Sequence, residues 1–419
     1  MSERETAQGN EAGGGHAVAE LQGLYGPFSF HEKLLQKIWQ RGDFDRARLV
    51  TTDGRRVTVA HPGRWNLLGG PDFSNARLRF GDEPAIAGDV ELHLRAGDWA
   101  AHGHANDRAY DGVRLHVVLF PPSPEHVTRG AGGREIPVVA LLSLLHHDLE
   151  EYAADEAVES LANRPAAQIL QLLGVLPAAE LAALIGRHAG ERWRQKVHFA
   201  RLRVQRLGWG EACHQTALEI LGYRFNRAPM LRVAAAHSLA EWADPLCSAE
   251  TIFESERAGW SLHGLRPANH PRRRLNQYAT WVRARPDWPE RLRGFAGRLP
   301  SVAADAPTRE VRHAGRLGDL RREWAQAVCA DAVGGTRFDN LVCDGFLPLL
   351  AAGEGVERAE AVWRHWFTGD LPPVFPRALR DLGVFDGRGK PACHGAAQGL
   401  LGWLLERERA VAVPEGRGA

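Results

Sequence analysis

The hydrophobic pattern changes its period early in the chain. In residues 31–40 the apolar side chains recur at helical spacing and share one side. Residues 47–60 instead contain two short strand-like runs on either side of a turn sequence at residues 52–55, a combination typical of a β-hairpin. The pattern therefore predicts a helix followed by a hairpin. The apolar residues of the predicted helix are Leu34, Leu35, Ile38 and Trp39.

Alternation of apolar and polar residues predicts the next two strands. In residues 73–80, Ala76, Leu78 and Phe80 fall on one face, and a turn sequence directly after Phe80 ends the strand. Residues 85–94 alternate in the same way. We expect these two strands to pair as a hairpin.

Longer apolar runs and helical segments follow. Residues 113–120 have the length of a buried strand and stop at Pro121, and residues 136–141 predict a last short strand. From about Leu144 onward, helical segments rich in Ala, Leu, Glu and Arg are separated by Gly and Pro. The chain is therefore expected to be α+β, with an N-terminal α/β core followed by a larger all-helical domain.

The length of 419 residues exceeds what one hydrophobic core usually supports, so two domains are expected. We place an α/β domain at residues 23–143 and a helical domain at residues 144–419. Residues 1–22 are polar and Gly-rich and lack the apolar core of a secretion signal, which predicts a disordered lead-in.

The composition indicates where in the cell the protein is expected. No run of eighteen or more apolar residues is present, so no membrane span is expected. The five cysteines are scattered, and none forms a CxxC pair, which indicates neither a disulfide framework nor a zinc ribbon. A reducing cytoplasm is the expected location.

The predicted strand at residues 85–94 has an unusual polar face. Asp89, Glu91 and His93 alternate with apolar residues and therefore share one side of the strand. Carboxylates and imidazole are costly beside buried strands unless they are paired or bind a metal. Asp72 opens the preceding strand, and adjacent strands lie about 4.8 Å apart, so Asp72 and Glu91 are expected to reach one hard cation.

This order of elements and residues resembles the PD-(D/E)XK nuclease superfamily. The resemblance implies a mixed sheet, with Asp72 and Glu91 as ligands of Mg²⁺ and His93 in the place of the lysine that assists the attacking water. Glu32, on the preceding helix, corresponds to an auxiliary acidic residue of some members. His93 departs from the pattern because a neutral imidazole lacks the permanent charge of lysine.

A closer resemblance covers nearly the whole chain. The strings that carry it are PGRWNLLGGPDFSNARL, GDVELHLRAGDWAAHGH, YDGVRLHVVLF, LGYRFNRAPM and GLRPANHPRRRL. They are similar to an uncharacterised bacterial family, domain of unknown function 2851. The family name supplies no activity.

Further polar residues surround the predicted site. His102, His104 and His116 follow His93 closely and are either metal ligands or acid/base groups, or else loop and core histidines. Asp89 flanks the site or adds a ligand. Asn66 lies in the loop before Asp72, where it contacts a substrate phosphate or, as we favour, holds the Gly-Gly bend through an Asx-turn.

A basic stretch marks the helical domain. Between Arg257 and Arg322 there are fifteen arginines and five acidic residues, a balance that suits a phosphate-backbone partner. The alternative interpretation, which we slightly favour, is helix capping and docking. The candidate nucleic-acid contacts are Arg266, Asn269, Arg272, Arg273 and Arg274.

Three functions are consistent with these patterns. The first is a Mg²⁺-dependent phosphodiesterase acting on DNA or RNA, with Asp72, Glu91 and His93 at its centre. The second is a nucleic-acid-binding protein that keeps this scaffold without turnover. The third is a His-rich hydrolase of another substrate that uses Zn²⁺ or Mn²⁺. P-loop and serine-nucleophile motifs are absent from the sequence.

Overall fold

The computed structural model describes residues 18–23, 26–66, 69–161, 166–257, 259–262, 265, 267–387 and 389–412. The chain divides into two compact units, whose main parts are Ser29–Leu145 and His146–Ala419. Every described strand ends by Ala140, and helices make up the rest, so the predicted α+β class is confirmed. Arg266 and residues 1–17 lie outside the described residues.

The lead-in prediction needs a correction where the described chain begins. Strands β1 (Val18–Gly23) and β2 (Gly26–His31) pair with each other, so residues 18–22 are not disordered as expected. The pairing gives backbone N–H and C=O groups hydrogen-bond partners within the chain, whereas in a disordered segment these groups bond to water. Helix α1 (Glu32–Arg41) follows as predicted and ends at Gly42, whose φ of 60° gives the left-handed C-cap.

The N-terminal unit contains a mixed sheet, as expected. Its path runs β10-β7-β6-β5-β3, with β4 paired to β5; β5 is antiparallel to both β3 and β6, whereas β7 is parallel to β6 and β10. A separate two-stranded sheet joins β8 and β9. The strands are β3 (Val57–His61), β4 (Arg64–Trp65), β5 (Phe73–Phe80), β6 (Ile86–His93), β7 (Val113–Val118), β8 (Thr128–Arg129), β9 (Glu135–Ile136) and β10 (Val138–Ala140).

The first predicted hairpin forms only in part. Its turn and second strand are present, but the first strand is reduced to single bridges from Val50 and Thr51. A 3-10 turn, Arg46–Arg48, takes the place of its beginning. The cause is local, because the Asp45 side chain accepts hydrogen bonds from the backbone N–H groups that follow it and caps a helical turn.

The alternation of apolar and polar residues in β5 and β6 determines which side chains enter the hydrophobic core. Ala76, Leu78 and Phe80 are buried on one face of β5, as the pattern predicts. The ladder between β5 and β6 shifts register between Phe73 and Ala76, where Asn75 has a φ of 55°. This bulge places Asp72 just before β5, beside the C-terminal half of β6.

The connection from β6 to β7 is a parallel crossover. It contains α2 (Asp98–Ala101) and two 3-10 turns, His104–Asn106 and Arg108–Tyr110. Trp99 is buried and donates from Nε1 to the carbonyl of Arg129, which ties α2 to β8. The crossover is therefore held in place close to the end of β6.

The second unit is helical and has a tryptophan-rich core. No single described helix is long and apolar enough to cross a membrane, although the bent pair α4–α5 passes the same test of length and composition. A π-helical turn, Leu341–Phe346, joins α13 to α14. The helices are α3 (Leu149–Leu161), α4 (Ala166–Leu173), α5 (Ala178–Leu207), α6 (Trp209–Ala236), α7 (Leu239–Ala243), α8 (Ala249–Ser255), α9 (Pro271–Ala284), α10 (Trp288–Arg293), α11 (Thr308–Ala314), α12 (Leu317–Ala327), α13 (Gly335–Asn340), α14 (Leu347–Glu354), α15 (Ala359–His365), α16 (Val374–Asp381) and α17 (His394–Ala412).

Candidate metal centre

The polar face of β6 is buried. Glu91 is 5% exposed and His93 is 1% exposed, while Val90 and Leu92 on the other face are fully buried. Both faces of the strand end are therefore inside the protein, and the two polar side chains need partners there.

Histidines of the crossover supply those partners. The Nε2 atom of His93 lies 3.1 Å from Nδ1 of His102 and 3.3 Å from Nε2 of His104. His104 is buried, whereas His102 is exposed. One nitrogen from each of the three rings lies within 4.8 Å of the other two, a spacing that could hold a metal ion.

Glu91 adds an oxygen to this group. Its Oε1 atom lies 3.4 Å from Nε2 of His104 and 3.7 Å from Nε2 of His93. We call Glu91, His93, His102 and His104 the donor cluster. It brings Glu91 and His93 together, as predicted from their shared strand face.

Asp72 lies beside the donor cluster and supports it. Its backbone N–H donates to Oε2 of Glu91 at 2.9 Å. Its own carboxylate accepts from Nε2 of Gln36 at 2.6 Å and from the backbone N–H of Leu92 at 3.0 Å. Burial raises the pKa of Asp72 to about 8, and the charge of Glu91 adds to this shift. Asp72 and Glu91 are thus close neighbours, as the sequence predicts.

Burial also keeps the imidazoles neutral. It lowers the pKa of His93, and the adjacent His116, His102 and His104 lower it further. Burial also lowers the pKa of His104, and partial desolvation lowers the pKa of the exposed His102. Neutral imidazole is the form that binds metals.

His116 continues the contacts on the far side of His93. It is fully buried on β7, and its Nε2 atom lies 2.9 Å from Nδ1 of His93. Its Nδ1 atom lies 2.9 Å from the hydroxyl oxygen of Thr128, which in turn lies 3.1 Å from Nε2 of His126. Of the two roles considered for His116, the hydrogen-bonded core position is the one found.

Tyr110 closes one side of the cluster. Its ring stacks on His104 with centroids 3.8 Å apart and an angle of 25° between the planes. Burial and the nearby carboxyls, first Glu91 and then Asp72, raise the pKa of the tyrosine. Glu32, which is buried at the start of α1, contributes to the same shift and so lies within electrostatic reach of the site.

Two further candidates shape the loops around Asp72. Asp89 accepts a hydrogen bond from the backbone N–H of Asn75 at 3.1 Å and so supports the bulge, outside the donor cluster. Asn66 donates from its side chain to the carbonyls of Gly69 and Pro71, and its own N–H donates to the carbonyl of Asp72 at 2.7 Å. These contacts fit the bend-holding role favoured for Asn66.

The four described candidates for nucleic-acid contact in the helical unit differ in exposure. Arg274 is 6% exposed and donates to Asn269 and Gln277, and Asn269 is itself buried. Arg272 pairs with Glu250 and Glu254. Among the candidates that the structure describes, only Arg272 and Arg273 are exposed. Several arginines of the basic stretch pair with acidic residues of this unit, which fits the docking interpretation that the sequence slightly favoured.

A second group of His and Glu in the helical unit is ion-paired. His147 contacts Glu151 at 3.1 Å and Glu219 at 3.3 Å. Glu219 also accepts from Arg203 and Arg227, which neutralise it. The arginines make this group a salt-bridge network instead of a cation site.

Three residues of the site escaped the sequence reasoning. Gln36 is buried on α1 next to the apolar positions, where a polar residue is a detectable exception. Tyr110 and Thr128 lie outside any periodic pattern, and no local signal points to them. They join the site only through the crossover and the β8–β9 sheet.

Comparison with known proteins identifies a family without a named activity. A family model described as "Protein of unknown function (DUF2851)" matches residues 32–252, more than half of the chain, and confirms the family expected from the sequence strings. No curated protein and no solved structure gives a significant match.

Proposed function

The chain belongs to the DUF2851 family, and we propose that it is a metal-dependent phosphodiesterase acting on DNA or RNA. Its centre is the donor cluster, and its cofactor is a transition metal ion such as Zn²⁺ or Mn²⁺. The observation that carries the proposal is the convergence of three imidazole nitrogens at the buried end of β6, with a carboxylate oxygen of Glu91 beside two of them.

The spacing of the donor atoms fits a metal ion. A tetrahedral Zn²⁺ site with bonds of about 2.0–2.1 Å has ligand atoms about 3.4 Å apart. The four distances along the donor cluster are 3.1, 3.3, 3.4 and 3.7 Å. These four of the six pairwise distances lie near that value, and the three imidazole nitrogens all lie within 4.8 Å of one another.

Proton counting points the same way. Nε2 of His93 contacts two other imidazole nitrogens, at 3.1 and 3.3 Å. Nε2 carries at most one proton, and a neutral imidazole has one N–H in all, so a linear hydrogen bond satisfies only one contact well. With a cation among the three rings, the nitrogen lone pairs that face one another would each bind the cation.

The donor types favour a borderline metal over Mg²⁺. Mg²⁺ prefers oxygen ligands and retains several waters, whereas imidazole suits Zn²⁺; Mn²⁺ prefers oxygen as well and is the second candidate. Asp72, the other expected Mg²⁺ ligand, directs its carboxylate to Gln36 and Leu92. We therefore place Asp72 in a supporting role and propose Zn²⁺ or Mn²⁺.

The order of elements supports the phosphodiesterase class. Helix α1 with Glu32 precedes an antiparallel group of strands, Asp72 directly precedes β5, Glu91 and His93 lie on β6, and β7 follows in parallel. This order is similar to that of the PD-(D/E)XK nucleases. The similarity supports phosphodiester hydrolysis over other metal chemistry.

The chain's own groups have distinct tasks in this proposal. The chemistry supplied by a bound metal is Lewis-acid polarisation of the scissile phosphate and a lowered pKa for an attacking water. The Asp72 N–H holds Oε2 of Glu91, which leaves Oε1 directed at His93 and His104. In this proposal His93 contributes a lone pair in the place where the PD-(D/E)XK nucleases have a lysine charge. His102, the exposed member, lies on the solvent side of the cluster.

The test combines metal analysis with cleavage. We expect the purified full chain to contain about one equivalent of Zn²⁺ or Mn²⁺, and to cleave single-stranded or duplex DNA or RNA only when metal is present. His102→Ala should weaken metal retention and abolish cleavage without unfolding the protein, because His102 is exposed and three other donors remain. The matched control is His313→Ala, an exposed histidine of the helical unit.

The other possible results of this test favour the other functions considered above or overturn the proposal. A chain that takes up neither metal would overturn the proposal. A chain that holds the metal but cleaves no phosphodiester would instead favour a hydrolase of another substrate. Salt-dependent nucleic-acid binding that ignores metal and Glu91→Gln would favour a binding protein without turnover.

A further inference from the structure

A buried hydrogen-bonded chain leads away from the donor cluster. From Nδ1 of His93 it runs to His116, then to the hydroxyl of Thr128, and then to His126, with successive distances of 2.9, 2.9 and 3.1 Å. His93, His116 and Thr128 are each at most 2% exposed, while His126 is half-buried.

Two arrangements of protons run through this chain in a single direction. In the first, His93 donates from Nδ1 to His116, His116 donates from Nδ1 to Thr128, and Thr128 donates to His126. The Nε2 lone pair of His93 then points into the donor cluster. In the second, every bond is reversed, and His93 directs an Nε2–H into the cluster. Only the first arrangement leaves His93 able to bind a cation.

Packing holds the chain in place. Trp99 lies against both His116 and His104, with ring centroids 5.3 and 5.2 Å apart. Its indole N–H donates to the carbonyl of Arg129, the residue after Thr128. The rings and the hydroxyl are thus fixed by the same crossover that carries His102 and His104.

The position of His116 is unusual for a purely structural residue. Its strand neighbours Leu115 and Val117 are fully buried and apolar, as is Val113. An apolar side chain there would avoid the cost of burying an imidazole. The imidazole is instead satisfied at both ring nitrogens, by His93 on one side and by Thr128 on the other, so it links these two residues.

We propose that His116 and Thr128 are positioning residues that hold His93 in the Nδ1–H tautomer, with its Nε2 lone pair directed at the metal. Outer-shell partners of this kind orient a ligating histidine and raise its basicity. The inference rests on the proposed function for the presence of a metal, but the tautomer itself is measurable without one.

The experiment uses two substitutions of His116 in the full chain. His116→Leu removes the acceptor, whereas His116→Gln retains an amide oxygen that can accept from His93. The probes are Zn²⁺, measured by competition with a chelator, and Co²⁺, followed by its visible absorption. Side-chain ¹⁵N shifts of the metal-free wild type report which nitrogen of His93 carries the proton.

We expect His116→Leu to weaken Zn²⁺ binding by about 10- to 100-fold and to change the Co²⁺ spectrum. His116→Gln should bind Zn²⁺ with the wild-type affinity and give the wild-type Co²⁺ spectrum. In the metal-free wild type, the proton of His93 should be on Nδ1. A His116→Leu variant that binds Zn²⁺ as tightly as wild type, or a proton on Nε2, would overturn the inference.

Two further results keep the test decisive. If His116→Leu does not fold, Thr128→Val, which keeps the shape of threonine, should still weaken Zn²⁺ binding, and unchanged affinity would count against the inference. If the wild type binds neither Zn²⁺ nor Co²⁺, the proposed function fails, while the tautomer of His93 still decides the positioning role.

Discussion

Oε1 of Glu91 lies 3.4 Å from Nε2 of His104, which joins a strand residue to the crossover that follows it. The other oxygen of Glu91 accepts the backbone N–H of Asp72. One carboxylate thus links the start of β5, the end of β6 and the crossover. Replacing this carboxylate by a neutral amide is therefore the first test of the site.

Glu91→Gln should separate metal binding from folding. The amide keeps an acceptor for Asp72 but removes a charge from a pair whose pKa values burial raises to about 8. A raised carboxyl pKa means that stability is lost as the pH rises from about 4 towards 8. The metal-free variant should therefore melt no lower than wild type at pH 8.5, and it should lose the stabilisation that Zn²⁺ provides.

The measurement is thermal unfolding with and without Zn²⁺, at about pH 5 and pH 8.5. Glu83→Gln, which changes an exposed carboxylate before β6, is the control and should behave as wild type. A metal-free Glu91→Gln protein that melts several degrees lower would contradict this electrostatic account.

Tyr110 should support the metal site through its ring and not its hydroxyl. The ring stacks on His104 at 3.8 Å, so Tyr110→Phe is expected to keep the wild-type affinity for Zn²⁺. Tyr110→Ala frees the His104 ring and should weaken the affinity by about tenfold, as loss of an orienting partner does. Chelator competition measures both, and equal affinities for the two variants would refute the stacking role.

The salt-bridge network of the helical unit should make stability depend on pH. Burial by itself would lower the pKa of His147, but the adjacent Glu151 and Glu219 raise this pKa to about 9. Because the folded value is above the ordinary one, the stabilisation is complete below about pH 6.5 and is lost as the pH rises through about 9. The loss is roughly 3 kcal/mol. His147→Gln should flatten this dependence in urea unfolding followed by circular dichroism; parallel curves for the two proteins would exclude it.

Arg274 should matter for folding and Arg273 should not. Arg274 is buried and donates to Asn269 at 2.7 Å and to Gln277 at 2.9 Å. Loss of two hydrogen bonds from a charged group predicts that Arg274→Ala lowers the free energy of unfolding by roughly 3 kcal/mol. The exposed Arg273→Ala should change it by less than about 0.5 kcal/mol. Equal effects in urea unfolding would show that burial does not distinguish the two arginines.

Alternation anticipated much of the sheet. The strands containing Phe73–Phe80 and Ile86–His93 were predicted to within a residue, because one buried face requires strict alternation. The same parity placed Glu91 and His93 side by side. The first strand of the earlier hairpin was not anticipated correctly, because the Asp45 cap favours a helical turn over the ladder.

The remaining half of the candidate site depends on tertiary packing. His102 and His104 lie in short turns without periodicity, and the anchoring of Trp99 at Arg129 brings them to His93. Thr128 comes from a two-residue strand. Asp89 shares parity with Glu91, but the bulge at Asn75 draws it to the backbone instead of the cluster. Local spacing therefore identified candidates but did not distinguish members of the donor cluster from the residues that support it.

X-ray absorption at the metal edge tests the central claim most directly. For the Zn²⁺-loaded protein, the donor cluster predicts about four nitrogen or oxygen neighbours at about 2.0–2.1 Å, with the outer-shell scattering of three imidazole rings. That scattering should decrease by one ring in His102→Ala and stay unchanged in His313→Ala. An oxygen-only shell without imidazole scattering, or a shell that is the same in His102→Ala, would contradict the claim that Glu91, His93, His102 and His104 hold the metal.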